Sequence, residues 1–243
     1  MSIPRLFTDH DLAADAVLAG MPGHGHYLGG VMRLGPGAVI RLFNGRDGEW
    51  DARIESVRRD DHRLQVVRRL RAQRAAPDIR LLLAALKRDA MEWAVEKATE
   101  LGAALIQPVL TARCVSAGTK PERLLTIARE AAEQCERLDL PRIPPALPLH
   151  AVLDHWDGAP LAIGAERGAA PPLGRVLAGR AAPAGLLVGP EGGFTAAELD
   201  ALGRHPFCVA VSLGPRILRA ETAAVAGLAV LQSACGDWGE DRV

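Results

Sequence analysis

Two stretches of the chain carry residue types that bring a main chain close to a ligand. The first, Gly189-Pro190-Glu191-Gly192-Gly193-Phe194, follows the apolar run Leu186-Leu187-Val188. Its three glycines allow positive φ and leave no Cβ between backbone and ligand. The second, Ser212-Leu213-Gly214-Pro215-Arg216-Ile217-Leu218-Arg219-Ala220-Glu221-Thr222, places a glycine, a proline, two arginines and a glutamate ahead of an alanine-rich segment. Glycine and proline also punctuate ordinary turns. Both stretches, however, follow strand-like runs and are long for mere turns. Neither is a phosphate cradle: there is no G-x-x-x-x-G-K-[ST], and Gly35-Pro36-Gly37 does not open a G-x-G-x-x-G. G-x-S-x-G is absent as well, which removes the esterase elbow. Loops of this kind suit a ligand read by main-chain hydrogen bonds, such as an adenosine-bearing cofactor.

The elements that must hold these loops follow from the pattern after Pro77. Ile79 to Leu86 is an apolar run broken only by Arg80, the signature of a strand buried on both faces. Asp89 to Leu101 repeats apolar residues at helical spacing and stops at Gly102. Leu105 to Leu110 reads as a strand, and Pro121 stands near the start of a helix expected to reach about Leu138. Leu161–Ile163, Leu186–Val188 and Cys208–Leu213 are further strands. Thr195-Ala-Ala-Glu198 has capping-box spacing, and Glu221 to Ala234 is a long helix. This alternation predicts an α/β domain with a largely parallel sheet, whose ligands bind beyond the carboxyl ends of the strands. Pro141 to Pro148 is a rigid connector. Ahead of Ala75-Ala76-Pro77, Val39–Phe43, Glu49–Glu55 and Arg63–Val67 alternate like half-buried strands, with Asn44-Gly45 and Asp47-Gly48 as a hairpin signal. The expected division is a small β-rich domain at 1–75, possibly a barrel, and an α/β domain at 76–243.

Composition excludes more than it selects. Over 243 residues, 49% hydrophobic and 24% charged residues rule out a disordered chain, a collagen and a coiled coil. The balance of 29 basic and 29 acidic residues gives no reason to expect a nucleic acid, and 4% aromatics count against a base-stacking single-strand binder. The average hides a division: residues 1–76 hold 12 basic and 9 acidic residues, and 58–74 hold seven basic and two acidic. Of the basic residues 26 are arginine, which suggests biased codon usage, and charge runs are usually solvated faces. The four cysteines lie far apart with no C-x-x-C, so they read as reduced, packed thiols. His24 and His26 have no third ligand nearby, and no metal is expected. No apolar run approaches the roughly 18 residues of a membrane span. Asp9, Asp11 and Asp15 interrupt the start where a signal peptide needs an apolar core, so a cytoplasmic protein is expected.

Six blocks along the chain are similar to the RsmE family, the bacterial 16S ribosomal RNA (uracil-N3) methyltransferases of the SPOUT class. They are His26-Tyr27-Leu28, Leu42 to Trp50, Lys97 to Gly102, Glu130 to Cys135, Gly189 to Phe194 and Leu213 to Ala223. The last two, in order and about 20 residues apart, are the most specific. The resemblance implies an N-terminal PUA-like β-barrel that binds RNA and a C-terminal α/β domain with a deep trefoil knot. It implies a homodimer that uses S-adenosylmethionine, with the methyl going to N3 of uridine 1498 in the 16S ribosomal RNA of the 30S subunit. The nearest rivals are another SPOUT methyltransferase, acting on a different base or a ribose hydroxyl, and a non-catalytic ribosome-assembly factor with a vestigial site.

Carried onto this sequence, the resemblance makes Val188, Gly189, Glu191, Gly192, Gly193, Leu213, Gly214, Ile217, Leu218, Arg219 and Thr222 cofactor residues. The loop after Ile163, with Gly164, Ala165 and Glu166, is the third wall. Uracil N3 bears a proton, so transfer needs that proton removed or the resulting anion stabilised. Arg219 is the candidate for the anion, and Glu221 or a water for the proton. The alternative for Arg219 is a surface ion pair, the lesser reading; Glu221 is equally readable as an ordinary first-turn carboxylate. The RNA candidates are Arg33, Arg46, Arg68, Arg69, Lys87, Arg88, Lys97, Arg113 and Arg137. The family's His-Tyr-Leu usually continues into a basic segment; here it reads Gly29-Gly30-Val31-Met32-Arg33, which weakens that contact or moves it to Arg33. Cys114 stands where the family often has serine.

Overall fold

The computed structural model describes residues 3–57, 62–114, 120–164 and 170–239. Of the positions discussed above, residues 58–61 of the basic stretch 58–74, Ala165 and Glu166 lie outside the described residues. The chain divides into two compact units: Met1–Ala75 with Ala132–Leu140, and Ala76–Ala131 with Pro141–Val243. Residues 132–140, expected in the α/β domain, therefore group with the β-rich unit.

In the first unit, β1 (Arg5–Phe7), β2 (Val17–Ala19), β3 (Val39–Phe43), β4 (Glu49–Val57) and β5 (His62–Arg71) form a sheet in the order β1-β3-β4-β5-β2. Strand alternation sets its core: Ile40 and Leu42 of β3, Ala52 and Ile54 of β4, and Leu64 and Val66 of β5 share one buried cluster with Leu28. The Asn44–Gly48 connection joins β3 to β4 with Phe43 opposite Glu49. Asn44 organises it by accepting from the Arg46 and Asp47 backbone N–H groups at 2.9 and 2.8 Å. β1, which pattern reading missed, is three fully buried residues with no alternation to see, and it pairs parallel to β3. A π-helical turn, His26–Val31, leads to Arg33, whose φ is +54°. His24 is buried with its ring 6.1 Å from that of His62, while His26 is exposed.

Arg5 ties residues 132–140 into this unit. Its Nε donates to Glu49 at 2.6 Å, and its terminal nitrogens donate to the carbonyls of Ala132, Glu133 and Arg137 at 2.9 to 3.0 Å. These acceptors explain why the helix expected to reach Leu138 ends at Gln134. Arg5 satisfies its terminal carbonyls, and Glu136 turns the chain at φ +64°. Arg137 pairs with Asp139 at 2.6 Å with its side chain 9% exposed. The pair and its cover give Arg137 a structural role within this unit.

In the second unit, β6 (Ile79–Ala84), β7 (Leu105–Leu110), β8 (Leu147–Pro148), β9 (Leu161–Gly164), β10 (Ala184–Val188) and β11 (Cys208–Val211) form a parallel sheet in the order β11-β9-β10-β6-β7-β8. The apolar runs are explained by the two faces. Leu81, Leu83, Leu186 and Val188 pack with α1 (Arg88–Glu100), α2 (Pro121–Gln134) and α6 (Ala220–Cys235). Leu82 and Leu187, one step out of phase, pack with Leu149, Val152 and Leu153 of α3 (Leu149–Asp154) and Leu202 of α5 (Ala196–Gly203). α4 (Leu173–Leu177) completes the element list. Gly102 ends α1 at φ +76°, and the buried Gln232 of α6 donates to the Leu101 carbonyl at 2.7 Å. The proline-rich connector supplies β8, and Leu105 bridges Arg142. Burial pushes the Cys208 thiol up to about 11, which keeps it protonated and inert. No helix of the described residues is long and apolar enough to cross a membrane, and none of their His, Cys, Asp and Glu groups could hold a metal ion.

Candidate active site

The sheet order brings the flagged loops together. β9 lies between β10 and β11, with Ile163 beside Leu187 and Gly164 beside Val211. All three strands point the same way, so they end, at Gly164, Val188 and Val211, on one edge of the sheet. A Cβ built on Gly164 would lie 3.7 Å from the Leu187 carbonyl and 4.0 Å from the Leu213 side chain. This is the crevice beyond the carboxyl ends of parallel strands where open α/β sheets bind ligands.

The 189–195 loop is shaped by contacts that only its own residue types permit. The Phe194 ring covers Gly189 so closely that a Cβ there would sit 2.9 Å from it. The Gly193 N–H donates to the Pro190 carbonyl at 2.8 Å, and Gly193 takes φ +67°. Thr195 then caps α5 in a complete capping box with Glu198, as the spacing predicted. Val188 is buried in the floor, whereas Glu191 and Gly192 are exposed.

The 212–219 loop is open. Gly214 adopts φ +114° with nothing within 4 Å of the Cβ position, a vacancy on a backbone bend that side chains disfavour. Its N–H donates to the Ser212 hydroxyl at 3.1 Å. Leu213 packs partly on the core, Leu218 is half-buried, and Ile217 is 67% exposed. An exposed aliphatic wall beside glycine backbone fits a ligand that combines an apolar ring with polar edges, as S-adenosylmethionine does. Thr222 is exposed at the start of α6.

Arg219 occupies the N-cap position of α6, with φ −64° and ψ 155°. It is exposed, and among the described residues its guanidinium has no ion-pair or hydrogen-bond partner. Among the described residues the ion-pair reading has no partner to rest on. A cation at the positive end of a helix is disfavoured by about 0.3–1 kcal/mol. Local stability therefore does not account for this arginine. Glu221 sits one turn-position into α6, half-buried and on the side of the dipole that suits a carboxylate.

Spacing did not reveal a fourth participant, the residues after β7. The Ala112 N–H donates to Glu198 Oε1 at 2.8 Å, and Arg113 donates to the Gly192 carbonyl at 2.9 Å. Sequence separations of 86 and 79 residues hide both contacts. Cys114 accepts from the Thr111 N–H at 3.3 Å, a small packed group as expected.

The other basic candidates differ in how they are engaged. Arg46 binds Asp11 at 2.8 Å, Arg68 binds Asp51 at 3.0 Å and Arg88 binds Glu92 at 2.8 Å. Lys97 lies between Glu96 and Glu100 at 2.7 and 2.8 Å, and both carboxylates raise its pKa, Glu100 more than Glu96. Among the described residues, Arg33, Arg69 and Lys87 are exposed and have no such partner.

Comparison with known proteins agrees with this geometry. An RNA methyltransferase domain model matches residues 73–232, and an RNA methyltransferase PUA domain model matches 25–71. The chain is 32% identical over 231 residues to ribosomal RNA small subunit methyltransferase E of Rickettsia conorii, covering 94% of this chain and 95% of that protein. It is 34% identical to the Synechocystis protein of the same name, covering 86% and 70%. Among solved structures, ribosomal RNA small subunit methyltransferase E from Neisseria gonorrhoeae bound to S-adenosylmethionine superposes with a TM-score of 0.89 at 28% identity, over 98% and 100% of the two chains. A putative methyltransferase from Legionella pneumophila with bound cofactor gives 0.87 at 30% identity, over 98% and 100%. An N-terminal PUA-like domain followed by a parallel-sheet methyltransferase domain, with glycine-rich loops gathered at one sheet edge, places this chain in the ribosomal RNA small subunit methyltransferase E family.

Proposed function

We propose that this protein methylates N3 of uridine 1498 in 16S ribosomal RNA, using S-adenosylmethionine. The observation that carries the reading is the alignment of three parallel strand ends at one edge, where both glycine-rich loops begin, with Arg219 at the start of α6 and without a partner among the described residues. Bound there, S-adenosylmethionine would supply an electrophilic methyl group. Main-chain groups of Gly189 to Gly193 and of Leu213 to Leu218 would hold its polar edges, and Leu213, Ile217 and Leu218 would cover its ring. Gly164 and Glu166 complete the third wall in this reading. Arg219 stabilises the negative charge that develops on the uracil as N3 loses its proton. Glu221, or a water beside it, accepts that proton.

The same reading includes a cytoplasmic homodimer and a trefoil knot in the second unit. The knot rests on the family resemblance; the strand order β11-β9-β10-β6-β7-β8 is compatible with it. Val225, Ala226 and Ala229 leave α6 half-covered, which suits a subunit contact. Incubation with labelled cofactor and undermethylated 30S particles, followed by mapping, tests the activity. Label at N3 of uridine 1498 is expected. Label on another base or a ribose favours a sibling methyltransferase, and no label with no cofactor binding favours an assembly factor.

Two predictions follow from residues in place. A Cβ on Gly192 would lie 3.3 Å from the Arg113 Cβ, so Gly192→Val must displace the loop or the Arg113 stem. Calorimetric affinity for S-adenosylmethionine should fall at least about tenfold, or 1.4 kcal/mol; unchanged affinity refutes the loop as a cofactor wall. For RNA, Arg68 is already engaged by Asp51 while Arg69 is unengaged among the described residues. Arg69→Glu should therefore flatten the slope of log K against log salt by about one unit or more. Arg68→Glu should change it less, and an unaltered slope in both removes this strand from the RNA surface.

A further inference from the structure

We infer that Glu198 and Arg113 form a clasp that fixes the glycine-rich loop in its cofactor-ready shape, making both of them positioning residues. The inference rests on reading that loop as a cofactor wall. A capping box needs only one carboxylate oxygen of its glutamate. Glu198 Oε2 meets that need, accepting from the Thr195 N–H at 2.8 Å and the Thr195 hydroxyl at 2.9 Å. Its other oxygen accepts from the Ala112 N–H at 2.8 Å, in the segment after β7. The neighbouring Arg113 reaches the same loop at a second point, the Gly192 carbonyl, at 2.9 Å. The loop is therefore gripped in its turn and at its end by two consecutive residues of one distant segment.

The electrostatics agree with this geometry. Burial raises the Glu198 carboxyl, but hydrogen bonds from the Thr195 and Ala112 N–H groups and the Arg113 charge outweigh it. The carboxyl is held below its ordinary range. The acceptor is thus ionised throughout the neutral range, when charge-assisted hydrogen bonds are strongest. A loop ordered in advance binds its ligand without the cost of ordering at the moment of binding. The clasp also gives Arg113 a task other than phosphate contact.

Three variants probe it in the full-length protein. Glu198→Gln keeps the shape but turns an NH2 toward an N–H donor at one end, so one of the two contacts is lost. Arg113→Met keeps the apolar stem and removes the donor, while Arg113→Lys retains a donor. In each of the first two, calorimetric Kd for S-adenosylmethionine should rise about five- to twentyfold. The double variant should fall short of the product of the two, because both act on one loop. Arg113→Lys should recover part of the loss, and the KM for RNA should stay within about twofold in all three. Without cofactor, hydrogen exchange in peptides containing Ala112 and 189–195 should quicken in Glu198→Gln. Wild-type affinity in both variants overturns the clasp, as does a raised RNA KM with unchanged cofactor affinity. If the unaltered protein fails to bind S-adenosylmethionine, the cofactor reading itself falls; unchanged exchange at Ala112 in Glu198→Gln then overturns the clasp independently.

Discussion

Replacing Arg219 by alanine should lower single-turnover methyl transfer about 10²–10³-fold, the typical cost of removing one preorganised donor to a developing anion. The expectation is sharp because of what the substitution does not do. Arg219 is exposed at the N-cap of α6, and among the described residues no carboxylate loses a partner when it goes. Removing a cation from the positive end of a helix relieves an unfavourable interaction of about 0.3–1 kcal/mol. The thermal midpoint should therefore stay level or rise slightly while activity collapses. Arg219→Lys keeps the charge but not the planar fork, so it should recover only part of the rate. Near-normal methylation of 30S particles by Arg219→Ala would remove the residue from the chemistry. A matched fall in stability would assign it to the fold instead.

Glu221 separates along the same line. If it accepts the N3 proton, Glu221→Gln lowers the rate and removes the acid limb of its pH dependence. If it only complements the helix dipole, the same change costs a few tenths of a kcal/mol of stability and leaves the rate alone.

The strand-end loops were legible because their signal is local. Gly193 and Gly214 advertise positive φ by being glycine, and Thr195 and Glu198 advertise a cap by their spacing. The two-faced burial of β6 and β10 was legible for the same reason, since buried parallel strands read as nearly unbroken apolar runs. Contacts over long separations were not. The carbonyls that Arg5 collects lie 127 to 132 residues away, so nothing near Arg5 marks it as the residue that ends α2. In the sequence an arginine that holds the fold and one that meets a phosphate look alike, as Arg137 and Arg113 do. Only the folded chain shows Asp139 beside one and the Gly192 carbonyl beside the other. The short β1 and β2 fell below the length at which alternation becomes visible.

Arg5 carries the largest expected effect on stability. Arg5 and Glu49 are buried, with side chains 5% and 2% exposed, and Arg71 approaches the second Glu49 oxygen at 2.9 Å. Burial alone would raise the Glu49 carboxyl, but hydrogen bonds from Arg71 and Arg5 and their charges hold it below its ordinary value. A depressed carboxylate adds stability that is present above its unfolded pKa and lost as pH falls through the folded one. The network should thus weaken only in acid. Arg5→Met removes the cation from beside Glu49, strips the Ala132, Glu133 and Arg137 carbonyls of their donor and ends the contact over the Phe43 ring at 4.7 Å. Breaking one side of a buried ion pair costs up to about 3–5 kcal/mol; Arg71 still offsets part of the Glu49 charge, while the three carbonyls left without their donor add to the loss. Urea unfolding followed through the first unit should register that loss. Cofactor affinity, set by residues of the second unit, should change less than about threefold, or 0.65 kcal/mol. Glu49→Leu added to Arg5→Met should recover part of the deficit, since a buried carboxylate left with Arg71 alone goes with it, but not all, since the three carbonyls still lack a donor. A loss below about 1 kcal/mol in Arg5→Met, the range of an exposed pair, would mean that Arg5 is dispensable and that residues 132–140 are held by apolar contacts alone.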